Sequence, residues 1–365
     1  MDSKKKKDDT LSDVRRQIDD IDSEIQRLIS GRAQLAQRVR AAKGDLQQTV
    51  DYYRPEREAQ VLRQVVERNQ GPLSNEEMVR LFREIMSACL AQQEPLKIAF
   101  LGPEGTFSQA ASVRHFGHSI NSLPLNTIEE VFSEVECGGA DFGVVPIENS
   151  TEGAVSNTLD MFLSSPLKIC GELDLRIHHN LLSKAAGLSA IERVYSHRQS
   201  LAQCRGWLHQ HLPGAERIPV ASNAEAARRV RKADDAAAIA SDAAAEIYEL
   251  NVLYANIEDK PDNTTRFLIL GRKLLAASGH DKTSLLLSAS DRPGLLYHLL
   301  APLAENDVSM TRIESRPSKQ GKWDYVFFID VDGHADEEPL ATALRQLQPV
   351  ASILKVLGSY PYSAV

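Results

Sequence analysis

The N-terminal part of the chain carries a run of apolar residues at alternating spacings of three and four. The run comprises Leu11, Val14, Ile18, Ile21, Ile25, Leu28, Leu35, Val39 and Ala42. This spacing is typical of the buried seam of a long packed helix. At about 1.5 Å per residue the helix reaches roughly 50 Å, which is too long for a monomeric domain of its size. We therefore expect a second copy of the chain to cover part of the seam, in a homodimer or a higher homo-oligomer.

Two cations occupy positions where this helical seam would otherwise place apolar side chains. Arg32 lies between Leu28 and Leu35, and Lys43 follows on the same face of the helix. An unpaired buried charge is costly, so an anionic group is expected to meet them. On position alone, an internal salt bridge to a neighbouring carboxylate is the favoured interpretation, and an anionic ligand is the alternative. Arg15 lies about 100° from Arg32 around a straight helix, so it cannot reach the same pocket. In a dimer it could serve the pocket of the other chain.

Composition and charge exclude several classes of protein. The 42 basic and 50 acidic side chains give a net charge of −8, which disfavours a general nucleic-acid binder. No apolar run approaches the roughly 18 residues of a membrane span, and the lysine-rich start lacks the apolar core of a secretion signal. The cysteines are far apart, without a CxxC pair: Cys89, Cys137, Cys170 and Cys204. We therefore expect a cytoplasmic protein with reduced thiols and no metal site.

The periodicity of the chain changes near Pro95 and again after Gly271. Between these points short apolar runs alternate with helical stretches, which predicts an α/β domain with a mainly parallel sheet. Its length of around 180 residues favours two lobes with a cleft between them. The last segment has a βαββαβ order, the α+β ferredoxin-like arrangement. The predicted multidomain organisation is a flexible tail over 1–10, an all-α domain over 11–94, a two-lobed α/β domain over 96–275 and the α+β domain over 280–360.

Charged and polar residues recur in short groups along the helical segment. The groups are Arg15-Arg16-Gln17-Ile18-Asp19, Gly31-Arg32, Ala41-Ala42-Lys43, Tyr53-Arg54-Pro55-Glu56-Arg57-Glu58, and Leu81-Phe82-Arg83 followed by Gln93. Together they resemble the all-helical chorismate mutase family. In that family an intertwined dimer holds two sites, each lined by cations from three helices. Arg54 stands where some members have an aspartate.

This resemblance implies catalytic roles for six residues. They are Arg15, Arg32, Lys43, Arg57, Glu58 and Gln93. Arg15 would come from the partner chain, while Glu58 and Gln93 match the positions that hold the substrate hydroxyl and contact its ether oxygen. Chorismate has two carboxylates, which arginine side chains bind with fixed geometry. Its rearrangement needs no nucleophile and no proton transfer, so catalysis depends on conformation and on charge stabilisation.

Four motifs occur in order along the α/β segment. They are Gly102-Pro103-Glu104-Gly105-Thr106-Phe107, Pro146-Ile147-Glu148-Asn149-Ser150, Tyr195-Ser196-His197-Arg198-Gln199-Ser200 and Asn263-Thr264-Thr265-Arg266-Phe267. The first two follow predicted strands, where polar residues line the ligand crevice of open α/β sheets, although each alone suits a turn or a helix cap equally well. Together the four resemble prephenate dehydratase. Arg198 and Ser200 stand where that family usually has proline and alanine.

The dehydratase resemblance implies that Thr265 is essential for turnover. The residues expected to bind substrate are Thr106, Glu148, Asn149, Ser150, Gln199, Arg266 and Phe267. Prephenate loses carbon dioxide and its ring hydroxyl together, so the site needs a hydrogen-bond donor for the leaving hydroxide and an anchor for a carboxylate. Thr265 is the expected donor, and Glu148 is an alternative acid if burial raises its pKa. The roles of three histidines stay open, because each could contribute to the cleft or serve only in packing: His178, His179 and His197.

Two sequences in the last segment resemble ACT regulatory domains, namely Asp291-Arg292-Pro293-Gly294-Leu295-Leu296 and Ile313-Glu314-Ser315-Arg316-Pro317. Family members bind L-phenylalanine between paired ACT domains and then lose dehydratase activity. The residues that this implies for the effector site are Gly294, Leu295, Leu296, Glu314, Ser315 and Arg316. Gly294 would let an amino acid approach the backbone closely, or it marks a turn between strand and helix.

The motifs together predict a bifunctional enzyme of phenylalanine biosynthesis, on the shikimate route to aromatic amino acids. It would rearrange chorismate to prephenate, convert prephenate to phenylpyruvate, and be inhibited by L-phenylalanine. No cofactor, metal, nucleic-acid or membrane partner is expected. The alternative is a non-catalytic aromatic amino-acid sensor whose helices only dimerise it. The intact Thr265-Arg266-Phe267 motif and the cations Arg32 and Lys43 argue against that alternative.

Overall fold

The computed structural model describes residues 2–44, 53–92, 94–289, 293–317 and 325–363, with side chains from residue 11 to residue 39 in the first of these ranges. The chain divides into a helical unit, a two-lobed α/β unit and a C-terminal α+β unit, in the predicted order. Within the described ranges, no helix combines the length and the apolar character of a membrane span.

Helices α1 (Asp2–Gly44), α2 (Pro55–Arg68) and α3 (Asn75–Ala91) form the N-terminal unit. Because α1 begins at Asp2, most of the stretch predicted to be a flexible tail is helical. Pro55 occupies the first turn of α2, where a backbone N–H would have no acceptor within the helix, so its absence costs no hydrogen bond. Ser74 and Glu77 form a reciprocal capping box at the start of α3.

The apolar seam of α1 is uncovered in the single chain. The exposed fractions of its larger side chains, from Leu11 to Val39, lie between 47% for Val14 and 59% for Ile21. A contiguous apolar surface of this kind normally marks an interaction site. The expected partner chain would cover this surface, and the dimer remains a prediction.

Strands and helices alternate through the α/β unit. Its strands are β1 (Lys97–Leu101), β2 (Asn121–Leu125), β3 (Phe142–Asn149), β4 (Gly153–Ala154), β5 (Lys168–Arg176), β6 (Asn180–Ser183), β7 (Arg193–His197), β8 (Glu216–Val220), β9 (Ala236–Ala240), β10 (Asn251–Tyr254) and β11 (Thr264–Gly271). Its α-helices are α4 (Phe107–Phe116), α5 (Ile128–Glu136), α6 (Ser156–Ser164), α7 (Arg198–Gln203), α8 (Arg205–His211), α9 (Asn223–Val230) and α10 (Asp242–Tyr248).

The first lobe contains a mixed sheet of strand order β2-β1-β3-β11-β5, with β4 beside β3. Strand β1 is parallel to both of its neighbours, whereas β11 is antiparallel to β3 and to β5. The prediction of a mainly parallel sheet is therefore wrong. The reason is that β11 returns from the second lobe and runs against the strands it joins.

The second lobe has its own sheet, of order β10-β6-β9-β7-β8. Its central strand β9 consists of buried alanines and one isoleucine, Ala236–Ala240. The chain passes into this lobe after β5 and returns through β11. The two predicted lobes are thus confirmed, and the cleft between them lies beside the strands that connect them.

The C-terminal unit has the predicted βαββαβ order. Its elements are β12 (Asp281–Ser288), α11 (Leu295–Glu305), β13 (Met310–Pro317), β14 (Tyr325–Asp332), α12 (Leu340–Leu347) and β15 (Ile353–Pro361). The strands form one antiparallel sheet of order β13-β14-β12-β15.

The two faces of this C-terminal sheet pack against different partners. Leu285 and Phe327 belong to a core formed with α11 and α12. Leu286 and Phe328 point the other way, as strand alternation requires, and join a core with Leu268 of β11. The C-terminal unit and the first lobe therefore share one hydrophobic core.

A cluster of buried ion pairs lies at the same junction. Arg266 of β11 pairs with Glu172 of β5 and, at 2.8 Å, with Asp330 of β14. Lys282 of β12 also pairs with Glu172, and Ser284 donates to Asp330 at 2.6 Å. Although burial disfavours its charge, Glu172 and Asp330 raise the pKa of Arg266 above the usual arginine value. Mutual pairing compensates for the burial of these charges.

Replacing Asp330 with asparagine removes one charge of this cluster and keeps the size of the side chain. We expect the variant to lose about 1–3 kcal/mol of unfolding free energy, because Arg266 then keeps only Glu172 as a charged partner. Denaturant unfolding measures the change. Asp336→Asn is the control, since the Asp336 side chain is 88% exposed and its charge contributes little. Equal unfolding midpoints for the two variants would contradict the prediction.

Candidate active sites

The helical unit borders a cavity of about 360 Å³, here named the helical cavity. α1 contributes Arg32, and the first turn of α2 contributes Arg57 and Glu58. Much of the remaining wall is apolar, including Val61 and Leu90. The cavity therefore combines three arginines and one carboxyl group with a largely apolar lining, and one of these arginines, Arg54, is paired with Glu56 at 2.7 Å.

Neither Arg32 nor Arg57 forms a salt bridge with a carboxylate among the described residues, although the charge of Arg32 helps to lower the pKa of nearby Glu58, which burial raises. Arg57 donates a hydrogen bond to Gln60 Oε1 at 3.3 Å. The internal salt bridge that position alone favoured for Arg32 is therefore absent from the described part of the chain. Two guanidinium groups that form no salt bridge within the described ranges leave a place for an anionic ligand in this cavity.

Glu58 is held differently from these arginines. Its carboxylate accepts a hydrogen bond from Arg83 Nε of α3 at 3.5 Å. Burial raises the pKa of Glu58, and the nearby Arg83 charge opposes part of that rise. Arg83 belongs to the group Leu81-Phe82-Arg83 that resembles the mutase family, but no role was predicted for it. In the structure it is the partner of Glu58.

Three predicted residues of this site are not seen in the cavity. Arg15 does not line it. Gln93 lies outside the described residues, as does the side chain of Lys43, whose backbone belongs to α1. Their roles remain predictions.

A second cavity, of about 530 Å³, opens between the lobes of the α/β unit and is named the interlobe cleft. Predicted residues that line it are Thr106, Asn149, Gln199, Thr265 and Phe267. Thr106 is the N-cap residue of α4, and Gln199 lies in the first turn of α7. The cleft therefore gathers strand ends and helix starts, where backbone and side-chain polar groups face a ligand.

Thr265 and Asn149 face each other across β11 and β3 in the antiparallel register. Asn149 Nδ2 donates a hydrogen bond to Thr265 Oγ1 at 2.8 Å. Thr265 is buried, so this hydroxyl lies in a partly desolvated place. A hydroxyl that already accepts one hydrogen bond keeps its own hydrogen for a ligand.

Two predicted substrate-binding residues point away from the cleft. Arg266 follows Thr265 on β11, and its side chain turns to the opposite face, toward the junction with the C-terminal unit. Glu148 precedes Asn149 on β3, and its carboxylate pairs with Arg312 Nε at 2.9 Å. Successive side chains of a strand alternate between faces, so neither residue can share the cleft with its neighbour. The structure thus places both side chains outside the cleft, which speaks against these two predictions.

Ser150 was also expected to bind substrate, and it does not line the cleft. Its hydroxyl accepts from the Thr264 backbone N–H at 3.0 Å and lies 3.4 Å from the Asp262 carbonyl oxygen. Ser150 therefore stabilises the turn that leads into β11 through these hydrogen bonds.

Gln203 lines the cleft although no sequence motif pointed to it. It lies four residues after Gln199 on α7, so the two share one face of that helix. Its Oε1 is 2.7 Å from His179 Nε2. Burial lowers the pKa of His179, which therefore lines the cleft as a neutral imidazole. His178 instead pairs with Glu258 at 2.9 Å, and His197 lines the cleft and caps α7.

Each of the three units of the chain matches a known protein family. The sequence model of the chorismate mutase type II family matches residues 14–94, that of prephenate dehydratase residues 98–274, and that of the ACT domain residues 283–348. A bifunctional chorismate mutase/prephenate dehydratase of Stutzerimonas stutzeri is 54% identical over 330 residues, 90% of each chain. The chain belongs to the bifunctional chorismate mutase/prephenate dehydratase family.

Two more distant relatives also match this chain, the first of them over nearly its whole length. The bifunctional chorismate mutase/prephenate dehydratase of Aquifex aeolicus is 44% identical over 355 residues, covering 96% of this chain and 98% of the relative. A crystal structure of prephenate dehydratase from Arthrobacter aurescens in complex with L-Phe is 36% identical, with a TM-score of 0.68, over 73% of this chain and 90% of that one.

As a chorismate mutase/prephenate dehydratase, the chain rearranges chorismate to prephenate and converts prephenate to phenylpyruvate. Its ACT domain fits feedback regulation by phenylalanine. The enzymatic prediction is thereby confirmed, and the non-catalytic sensor is set aside.

The predicted effector residues of the ACT domain do not lie on one surface. Three are at the start of α11, and three are on β13. Gly294, at φ 79°, begins α11 together with Leu295 and Leu296. On β13, Arg316 donates to the Ser156 carbonyl oxygen of α6 at 2.8 Å and also pairs with Asp160. These contacts commit the Arg316 guanidinium to the first lobe, which speaks against the prediction that it binds the effector. Glu314 shares that face of β13 by alternation, and Ser315 lies on the other face.

Proposed function

We propose that the helical cavity is the mutase site and that the interlobe cleft is the dehydratase site. The domains would then be 11–94 for the mutase, 96–275 for the dehydratase and 280–360 for the ACT regulator. The observation that supports the mutase assignment is that Arg32 and Arg57 line one cavity and form no salt bridge in the described part of the chain. For the dehydratase it is the hydrogen bond from Asn149 to Thr265 inside the cleft.

In the mutase site, Arg32 and Arg57 would bind the carboxylates of chorismate and hold its compact conformer. Glu58 would accept the hydrogen of the substrate hydroxyl, with Arg83 keeping the carboxylate in place. Lys43 and Gln93 would donate to the ether oxygen as its bond breaks. Because the reaction is pericyclic, this positioning and charge stabilisation is the whole of catalysis.

The mutase site would be completed by a second chain. The exposed seam of α1 supplies the apolar surface for an intertwined dimer. Arg15 lies on the same helix as Arg32 but about 100° away around it. It would therefore reach the cavity of the partner chain and bind the substrate there.

Mixed dimers test this arrangement. Arg15→Ala and Arg32→Ala chains are purified separately, each with little mutase activity, then unfolded and refolded together. If each site takes Arg15 from one chain and Arg32 from the other, every mixed dimer has one intact site. Equal mixing should then restore about a quarter of wild-type mutase activity. No restoration, with mixed dimers verified by affinity tags, would contradict a shared site.

In the dehydratase site, Thr265 would donate its hydroxyl hydrogen to the departing ring hydroxyl of prephenate. The ring carboxylate leaves as carbon dioxide, and its bonding electrons complete the aromatic ring as the carbon–oxygen bond breaks. Thr106, Gln199 and Phe267 would orient the substrate in the cleft. A donor aimed at the developing hydroxide stabilises charge where it appears.

L-phenylalanine would act through the ACT domain. The Arthrobacter aurescens structure contains L-Phe, and Gly294 at a positive φ offers backbone that an amino acid can approach closely. The ion pair of Asp330 with Arg266 links this domain to the residue beside Thr265. Phenylpyruvate formation from chorismate, assayed with and without L-phenylalanine, tests the whole assignment. Failure to form phenylpyruvate would favour the non-catalytic sensor.

A further inference from the structure

Four side chains beside the interlobe cleft form a closed ring of hydrogen bonds. Thr151 Oγ1 donates to Asn149 Oδ1 at 2.5 Å, and Asn149 Nδ2 donates to Asn263 Oδ1 at 2.9 Å. Asn263 Nδ2 donates to Gln203 Oε1 at 3.2 Å, and Gln203 Nε2 donates back to Thr151 Oγ1 at 3.0 Å. Each amide thus uses its oxygen as an acceptor and its nitrogen as a donor, with no conflict around the ring.

The orientation of the Asn149 amide is strongly determined. Besides the Thr151 hydroxyl, its Oδ1 accepts from the backbone N–H groups of Thr151 at 3.0 Å and Glu152 at 3.2 Å. Reversing the amide would place its NH₂ group against these donors. The nitrogen therefore faces Thr265, on the other side of the amide.

This orientation decides what the Thr265 hydroxyl can do. Because Asn149 donates to it, Thr265 Oγ1 acts as the acceptor, and among the described residues no group takes its hydrogen. A reversed Asn149 amide would present an oxygen instead. Thr265 would then donate to Asn149 and have no hydrogen left for the departing hydroxide.

We infer that Thr151 is a positioning residue of the dehydratase site, whose hydroxyl closes the ring and so aims the hydrogen of Thr265 at the substrate. The inference rests on the proposed role of Thr265 as donor. Thr151 is exposed and does not line the cleft, so it acts only through Asn149 and Gln203. Its hydroxyl is the one hydroxyl group in the ring and joins the two amides. Without it, Gln203 Nε2 would lose its acceptor in the ring, and Asn149 Oδ1 would keep only its two backbone donors.

The ring also determines the tautomer of His179. Gln203 Oε1 can only accept, so the hydrogen of the neutral imidazole lies on Nε2, at 2.7 Å. Nδ1 is then a bare acceptor, buried and without a partner in the described part of the chain. Opening the ring frees the Gln203 amide to turn its NH₂ group toward Nε2, which would move the hydrogen to Nδ1. The ¹⁵N shifts of the His179 ring report this change directly.

Thr151→Val removes the hydroxyl and keeps the shape of the side chain. We expect the dehydratase kcat of this variant to fall about tenfold, with KM for prephenate within about twofold because Thr151 does not touch substrate. The ¹⁵N shifts of His179 should move toward a mixture of tautomers. Thr151→Ser, which retains the hydroxyl, should restore both properties. The mutase activity of each preparation verifies that the chain is folded.

Thr264→Val is the matched control, because its hydroxyl lies outside the ring and should be dispensable. The decisive comparison uses a Thr265→Val background, where Thr151→Val should cause no further loss, since the ring acts through Thr265. A wild-type kcat for Thr151→Val, or an undiminished tenfold loss in that background, would overturn the inference. Full dehydratase activity of Thr265→Val alone would overturn the proposed role of Thr265, and this inference with it.

Discussion

Replacing Thr265 with valine will lower the dehydratase kcat about 10²- to 10³-fold, the usual effect of deleting one donor at a developing charge. Valine fills the same space but cannot donate to the departing hydroxide. Mutase activity of the same preparation should stay within about twofold, because the helical cavity shares no residue with the interlobe cleft. Phenylpyruvate formation from added prephenate and loss of chorismate absorbance measure the two activities separately.

Thr265→Ser is the matched control for this substitution. Serine keeps the hydroxyl and the hydrogen bond from Asn149, so most of the activity should remain. If Thr265→Val lowers both activities in parallel although the chain is folded, the two sites are not separate. If serine and valine behave alike, the hydroxyl is not the donor.

Replacing Arg57 with glutamine will lower the mutase kcat/KM about 10²- to 10³-fold, because a bidentate contact to a substrate carboxylate is lost. Arg57 has no carboxylate partner among the described residues, so its removal leaves no unpaired acid in the protein. Folding and dehydratase activity with added prephenate should therefore be unaffected. Chorismate turnover at several substrate concentrations measures the loss.

Arg68→Gln provides the control for the same substitution on the same helix. Arg68 lies in the last turn of α2 and does not line the helical cavity. This variant should keep wild-type mutase activity. Comparable losses for Arg57→Gln and Arg68→Gln would mean that overall charge, and not the cavity, governs chorismate binding.

The longer strands and helices were predictable because their apolar periodicity is strong. The shorter elements have weak periodicity, and those for which no individual prediction was made include β2, β4, α5, α6, β6, α10 and β10. β2 contains Pro124, which normally disqualifies a strand, and it is tolerated because β2 lies at the edge of its sheet. The antiparallel direction of β11 could not be predicted either. The apolar periodicity within a strand does not show which neighbouring strands it pairs with, or in which direction.

The site residues were predicted unevenly for a related reason. The motifs pointed to Thr265 and Asn149, which line the interlobe cleft, and also to their immediate neighbours Arg266 and Glu148, which do not. The twofold alternation of side chains along a strand is enough to separate each residue from its neighbour. Gln203 carried a usable signal, because it lies one helical turn beyond Gln199. Its partner Asn263 belongs to a different motif, and only the folded chain shows that the two amides meet.

The shared hydrophobic core of the ACT domain and the first lobe limits how regulation can be removed. A chain cut between residues 275 and 280 would leave Leu268 and its neighbours facing water where Leu286 and Phe328 now pack. It would also remove the Asp330 counter-ion of Arg266, the residue next to Thr265. The ACT domain is therefore an integral part of the dehydratase structure and cannot be removed without exposing their shared core. An effector-insensitive enzyme is better sought through point changes near Gly294 than through truncation.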